Sequence, residues 1–103
     1  MVSMVGRPIS LAAVRHHRAE ILSVASRWGA HDLRVFGSVA CEAANLDSDL
    51  DLIARFDPSS SLLDLGALKA ELEALLGCPV DLLSEAGLAT EFRREALARA
   101  VPL

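Results

Sequence analysis

The sequence predicts a single α/β domain: three strands in one small mixed sheet, with helices packed on one face. Three observations carry that reading. A length of 103 residues allows one hydrophobic core and leaves no room for a second folded unit. Helical periodicity and period-two alternation replace one another along the chain, in the order helix, strand, short helix, strand, helix, strand, helix. No repeat, low-complexity tract or linker interrupts that order, so residues 1–103 read as one domain.

The first helix is predicted from Ser10, a good N-cap, to about Trp28, because Leu11, Val14, Ile21, Leu22, Ala25 and Trp28 recur at helical spacing and Gly29 supplies a stop. Leu33 to Phe36 reads as a short strand that Gly37-Ser38 breaks, and the small residues Val39 to Ala44 suit a short helix. Leu50 to Phe56 is the clearest strand. Leu50, Leu52, Ala54 and Phe56 alternate with Asp51, Ile53 and Arg55, and Asp49 precedes them in phase with the second set. DPSSS, Asp57 to Ser61, is a turn, and Leu62 to Leu76 then carries a leucine-rich helical pattern that ends at Gly77. Those leucines are expected to be core. Pro79 to Leu83 is the third strand, SEAG a turn, and Thr90 caps a last helix, Glu91 to Val101, closed by Pro102.

Composition narrows the function. The chain is 52% hydrophobic with a mean hydropathy of +0.37, which suggests a packed core and an apolar face for a partner. No apolar run approaches the roughly 18 residues of a membrane span, and the N-terminus lacks a secretory apolar stretch, so a cytoplasmic protein without membrane contact is expected. Cys41 and Cys78 are too few for a disulfide framework or a zinc site and read as small core residues. A formal charge of −4 argues against direct nucleic-acid binding, which usually needs a basic excess. The basic cluster Arg15-His16-His17-Arg18 reads as a solvated helix face or a partner contact. His31 falls in a turn with no ligand spacing to another His; Trp28 reads as core, and Arg93 and Arg94 as part of an exposed helix face.

The chemistry lies in the carboxylates of VFGSVACEAANLDSDLDLIARF. Asp49 and Asp51 stand two apart on one strand face and cannot swing away from each other. Their repulsion, about 1 kcal/mol in water and several times that near a protein surface, calls for an offsetting charge. Hard divalent cations that bring substrate phosphates with them would supply it. A solvated turn is the bland alternative. Two neighbours favour the metal: Gly37-Ser38 at a strand-to-helix junction offers N–H groups and a hydroxyl to an anion, and Asp81 interrupts the apolar strand Val80-Asp81-Leu82-Leu83. If the third strand lies beside the second, three carboxylates converge.

Gly37-Ser38, a ten-residue approach, Asp47-Ser48-Asp49-Leu50-Asp51-Leu52 and a later strand aspartate together resemble the nucleotidyltransferase superfamily typified by DNA polymerase beta. Within it, the chain is most similar to the minimal nucleotidyltransferases (MNT), the antitoxin halves of HEPN/MNT toxin–antitoxin pairs. The similarity covers nearly the whole chain. It implies the polymerase beta-like nucleotidyltransferase fold, binding of two Mg2+ ions by Asp49 and Asp51, and a third ligand, Asp81, that also helps deprotonate the attacking hydroxyl. It further implies that Gly37 and Ser38, with Asp49 and Asp51, bind the nucleotide. Asp47 and Ser48 would shape the turn.

The resemblance also supplies the expected reaction: Mg2+-dependent transfer of AMP from ATP to a hydroxyl, with a tyrosine of a cognate HEPN ribonuclease toxin as the expected acceptor. One departure from the family pattern stands out. Where members commonly continue with R-G-E, this chain has Cys41-Glu42-Ala43, so a basic residue that could face phosphate is missing and an acidic one is added nearby. Two other readings fit the same residues: a non-catalytic antitoxin that neutralises its toxin by binding alone, and a small-molecule nucleotidyltransferase working with a separate substrate-binding subunit.

Overall fold

The computed structural model describes residues 10–37 and 50–103. The expected short helix Val39–Ala44 lies outside them, as do Ser38, Cys41, Glu42, Asp47, Ser48 and Asp49. In chain order the elements are α1 (Leu11–His16), α2 (Arg18–Arg27), β1 (Ala30–Phe36), β2 (Leu50–Phe56), α3 (Leu62–Leu76), β3 (Val80–Ser84), a 3-10 turn (Glu85–Gly87), α4 (Thr90–Arg99) and β4 (Val101–Pro102).

Ser10 caps α1 as expected, its hydroxyl accepting the Ala13 N–H at 3.0 Å. The single long helix does not form. His17 turns out of helical geometry (φ −98°, ψ 16°) and divides α1 from α2 inside the basic cluster. Two adjacent histidines are weak helix formers, and here their rings meet edge to face, 5.1 Å apart.

The sheet order is β3-β2-β1-β4. β1 pairs antiparallel with β2 and β4, and β2 runs parallel to β3. Leu33, Val35, Leu50, Leu52, Ala54, Val80 and Leu82 form one apolar face, and it joins Val14, Ile21, Ala25, Leu68, Leu72 and Leu76 from the helices in the main core. Burying a leucine of this kind contributes about 2 kcal/mol. α2 lies on β1, α3 on β3, and the two helices on each other. Glu71 clasps them, accepting the Trp28 indole N–H and pairing with Arg27 at 3.0 Å. Trp28 is therefore half-buried with its polar edge satisfied. On the opposite face Ile53 is fully buried; it and Ala96 of α4 stand outside the main core, with the 3-10 turn against β2 and α4 against β1.

Two strand expectations are corrected. β1 begins at Ala30, three residues early, because the pairing register slips between His31 and Arg34 and Asp32 takes φ +53°. This bulge spaces the buried Ala30 and Leu33 three apart and destroys the alternation by which a strand is read. The sheet also has four strands where three were expected. Val101 leaves the last helix and pairs with Val35, and the Leu103 N–H donates to the Leu33 carbonyl at 3.0 Å. Both apolar side chains gain the core by extending along β1, and Pro102, without an N–H, suits an edge strand. The last helix starts at Thr90, after Ala89, without a side-chain cap.

α3 matches its expected bounds. Ser61 and Asp64 form a reciprocal capping box, and Gly77 closes the helix in the left-handed conformation, φ +69°. Not all its leucines are core: Leu62 and Leu63 are 86% and 84% exposed. Near its end, Glu73 accepts the Val80 N–H at 2.9 Å and pairs with Lys69 at 3.0 Å. The Val80 bond first, and Lys69 second, hold its carboxyl below the ordinary value of 4.5. A depressed carboxylate pKa stabilises the fold above the unfolded value, and the contribution disappears as pH falls through the folded value. Glu73→Gln is therefore expected to lower the urea midpoint at pH 7, and the gap from wild type should close as pH drops below 4.5.

Candidate active site

Strand pairing brings together two carboxylates thirty residues apart in the chain. β2 and β3 are in register Leu50 with Val80, Asp51 with Asp81 and Leu52 with Leu82. β1 meets β2 with Phe36 opposite Asp51. Cross-strand partners share a face, so Phe36, Asp51 and Asp81 form a row across three strands. The next row on that face is Arg34, Ile53 and Leu83.

Adjacent strands lie about 4.8 Å apart, so the Cβ atoms of in-register residues stand at about 5 Å. Two carboxylates at that spacing repel by about 1 kcal/mol in water and by about 3 kcal/mol at an effective dielectric constant near 20. Asp51 is half-buried and Asp81 exposed. The exposure revises one sequence argument. Asp81 is exposed in its apolar strand and is not a buried carboxylate; what sets it apart is its register with Asp51. Arg34, in the neighbouring row, is engaged by Glu85 at 3.4 Å.

Gly37 follows β1 directly and takes φ +74°. A Cβ at this position would press into the Asp51 carboxylate. Any other residue meets both a left-handed backbone cost of about 1–2 kcal/mol and that collision. The sequence pointed to Gly37 as an anion-binding turn. Its close approach to Asp51 is an additional constraint that only the fold reveals.

The arrangement therefore presents two hard oxygen donors on one sheet face beside a backbone surface bare of side chain. Such a donor set fits a divalent cation of the Mg2+ type, and an exposed glycine backbone allows close approach of phosphate. Among the described residues no group of three His, Cys, Asp or Glu side chains is gathered for a metal. The third expected carboxylate, Asp49, and the expected phosphate-binding Ser38 lie outside those residues.

The remaining candidates resolve as ordinary structure. His31 pairs with Asp57 at 2.9 Å on the surface, and His17 pairs with Glu20 at 3.0 Å. Cys78 packs half-buried against the core. Arg94 is exposed on α4. Among the described residues no helix is long and apolar enough to cross a membrane. Phe36, which the sequence marks only as the end of a strand, is the row partner of Asp51.

Comparison with known proteins shows the family and the fold. The family model for the nucleotidyltransferase domain matches residues 20–102. The protein adenylyltransferase MntA of Thermococcus cleftensis is 37% identical over 75 residues, which span 73% of this chain and 76% of that protein. A solved structure of a candidate minimal nucleotidyltransferase superposes with a TM-score of 0.86 at 47% identity, covering 95% of this chain and 100% of that one. The complex of a tri-AMPylated Shewanella oneidensis HEPN toxin with its MNT antitoxin superposes with a TM-score of 0.65 at 14% identity, covering 85% of this chain and 69% of that one, a likeness of fold.

Proposed function

The chain belongs to the nucleotidyltransferase domain family, in the minimal branch of the MNT antitoxins, and from that membership we propose that it transfers AMP from ATP to a hydroxyl of a HEPN-type toxin, with Mg2+. The observation that carries the proposal is the in-register Asp51–Asp81 pair set against Gly37. The likeness to a protein adenylyltransferase supports the protein acceptor, and the likeness to a complex containing an AMPylated HEPN toxin supports the partner.

Asp49, Asp51 and Asp81 are the residues that would hold Mg2+. When bound, such ions neutralise the triphosphate and stabilise the attacking and leaving oxygens of an in-line displacement. Gly37 leaves its backbone bare for the triphosphate, and Ser38 follows with a hydroxyl. Asp81, exposed on an outer strand, can be reached by an acceptor carried on a separate molecule. There it accepts the proton of the attacking hydroxyl. The hydroxyl oxygen bonds to the α-phosphorus, the bond from that phosphorus to the bridging oxygen breaks, and pyrophosphate leaves. A tyrosine hydroxyl is the proposed acceptor.

The test is incubation of the chain with a co-expressed HEPN partner and ATP labelled at either the α- or the γ-phosphate. Label should reach the partner from the α position alone, and only with Mg2+. Toxin neutralised equally by wild type and by the Asp49→Ala, Asp51→Ala double variant, without label, would establish the binding-only reading. The absence of the family's basic residue, with the acidic Glu42 added nearby, gives that alternative its one specific support.

A further inference from the structure

We infer that Glu73 is a positioning residue for the Asp51–Asp81 pair, acting by tethering the edge of β3 one residue before Asp81. The inference rests on the reading of that pair as a divalent-cation site.

β3 is an outer strand of the described sheet. In a parallel ladder, successive residues direct their backbone groups to alternate sides. The Pro79 carbonyl faces β2 and accepts the Leu50 N–H at 3.0 Å, so the Val80 N–H faces away from β2. A donor there has no ladder partner. Glu73 supplies one at 2.9 Å, reaching across the Gly77-Cys78-Pro79 turn from the last turns of α3. Lys69, one helical turn earlier, holds the same carboxylate oxygen at 3.0 Å.

The chain at Pro79-Val80 is thus bonded on both edges immediately before Asp81: inward to β2, outward to α3. Together the bonds fix the roll of β3, and with it the direction in which the Asp81 carboxylate leaves the strand toward Asp51. A cation shared by two carboxylates is sensitive to that direction, and partners that orient ligands typically alter metal affinity about 10- to 100-fold when lost.

Length and charge can be separated at this position. Glu73→Asp keeps the charge but is too short to span to Val80; Glu73→Gln keeps an acceptor of the right reach and loses the charge. Val14→Ala, in the buried part of α1, serves as a control for stability alone. The measurement is Mn2+ affinity by electron paramagnetic resonance on the full chain, with thermal midpoints taken alongside. Glu73→Asp is expected to weaken Mn2+ binding about 10-fold, Glu73→Gln to leave it near wild type, and Val14→Ala to lower the midpoint without changing affinity. Wild-type affinity in Glu73→Asp, or equal weakening in Glu73→Gln or Val14→Ala, overturns the inference. A wild-type chain that binds no Mn2+ overturns the cation site itself and the inference with it.

Discussion

Asp51→Asn is expected to slow nucleotidyl transfer about 1,000-fold while the chain stays folded. Cation stabilisation of a transferring phosphoryl group is worth several kcal/mol, and about 1.4 kcal/mol is tenfold in rate, so loss of a central ligand removes about three orders of magnitude. Asp51 is central here. It lies between Phe36 and Asp81 in one row and beside Gly37. Asparagine keeps the size, and β2 is anchored by Leu50, Leu52, Ile53 and Ala54, all fully buried. Initial rates of label transfer from ATP, with circular dichroism as the folding check, measure the effect; activity within threefold of wild type would remove Asp51 from the site.

Gly37→Ala should lose both stability and activity through one added methyl group. The left-handed backbone costs about 1–2 kcal/mol, and the new Cβ must displace the Asp51 carboxylate. Misplacing a reacting centre by about 1 Å costs about 100-fold in rate. Gly66→Ala is the contrasting case. Gly66 sits within α3 with nothing inside 4 Å of a built Cβ, so alanine there should stabilise by about 0.5–1 kcal/mol without affecting transfer. Urea denaturation and the transfer assay on both variants report the difference.

Local signals made part of this molecule readable from its sequence. Clean alternation located β2, and helical spacing between a serine cap and a glycine stop located α3. The break at His17 is a matter of local propensity, whereas in the strands and the leucines tertiary contacts override local pattern. The bulge at Asp32 hid the start of β1, and a two-residue strand such as Val101–Pro102 has no period to detect. Leu62 and Leu63 belong to the leucine pattern of α3 yet are exposed, where Leu68 and Leu72 are fully buried. Within the site, period two could place Asp51 on the face opposite Leu52, but no local rule identifies the strand beside it. The parallel register of Asp51 with Asp81, and the pressure of that carboxylate on Gly37, exist only once the chain is folded.

The same register implies that the pair is a liability to the empty fold and an asset to the occupied one. Asp81→Asn should relieve about 1 kcal/mol of repulsion at this exposed position and forfeit cation binding. Thermal midpoints of wild type and Asp81→Asn, each with and without Mg2+ and a non-hydrolysable ATP analogue, test this most directly. The variant is expected to melt higher than wild type when both are free of metal, and wild type to overtake it when Mg2+ and the analogue are added. A variant no more stable than wild type without metal, together with a wild-type midpoint that ignores Mg2+ and nucleotide, would contradict the assignment of Asp51 and Asp81 as a cation-binding pair.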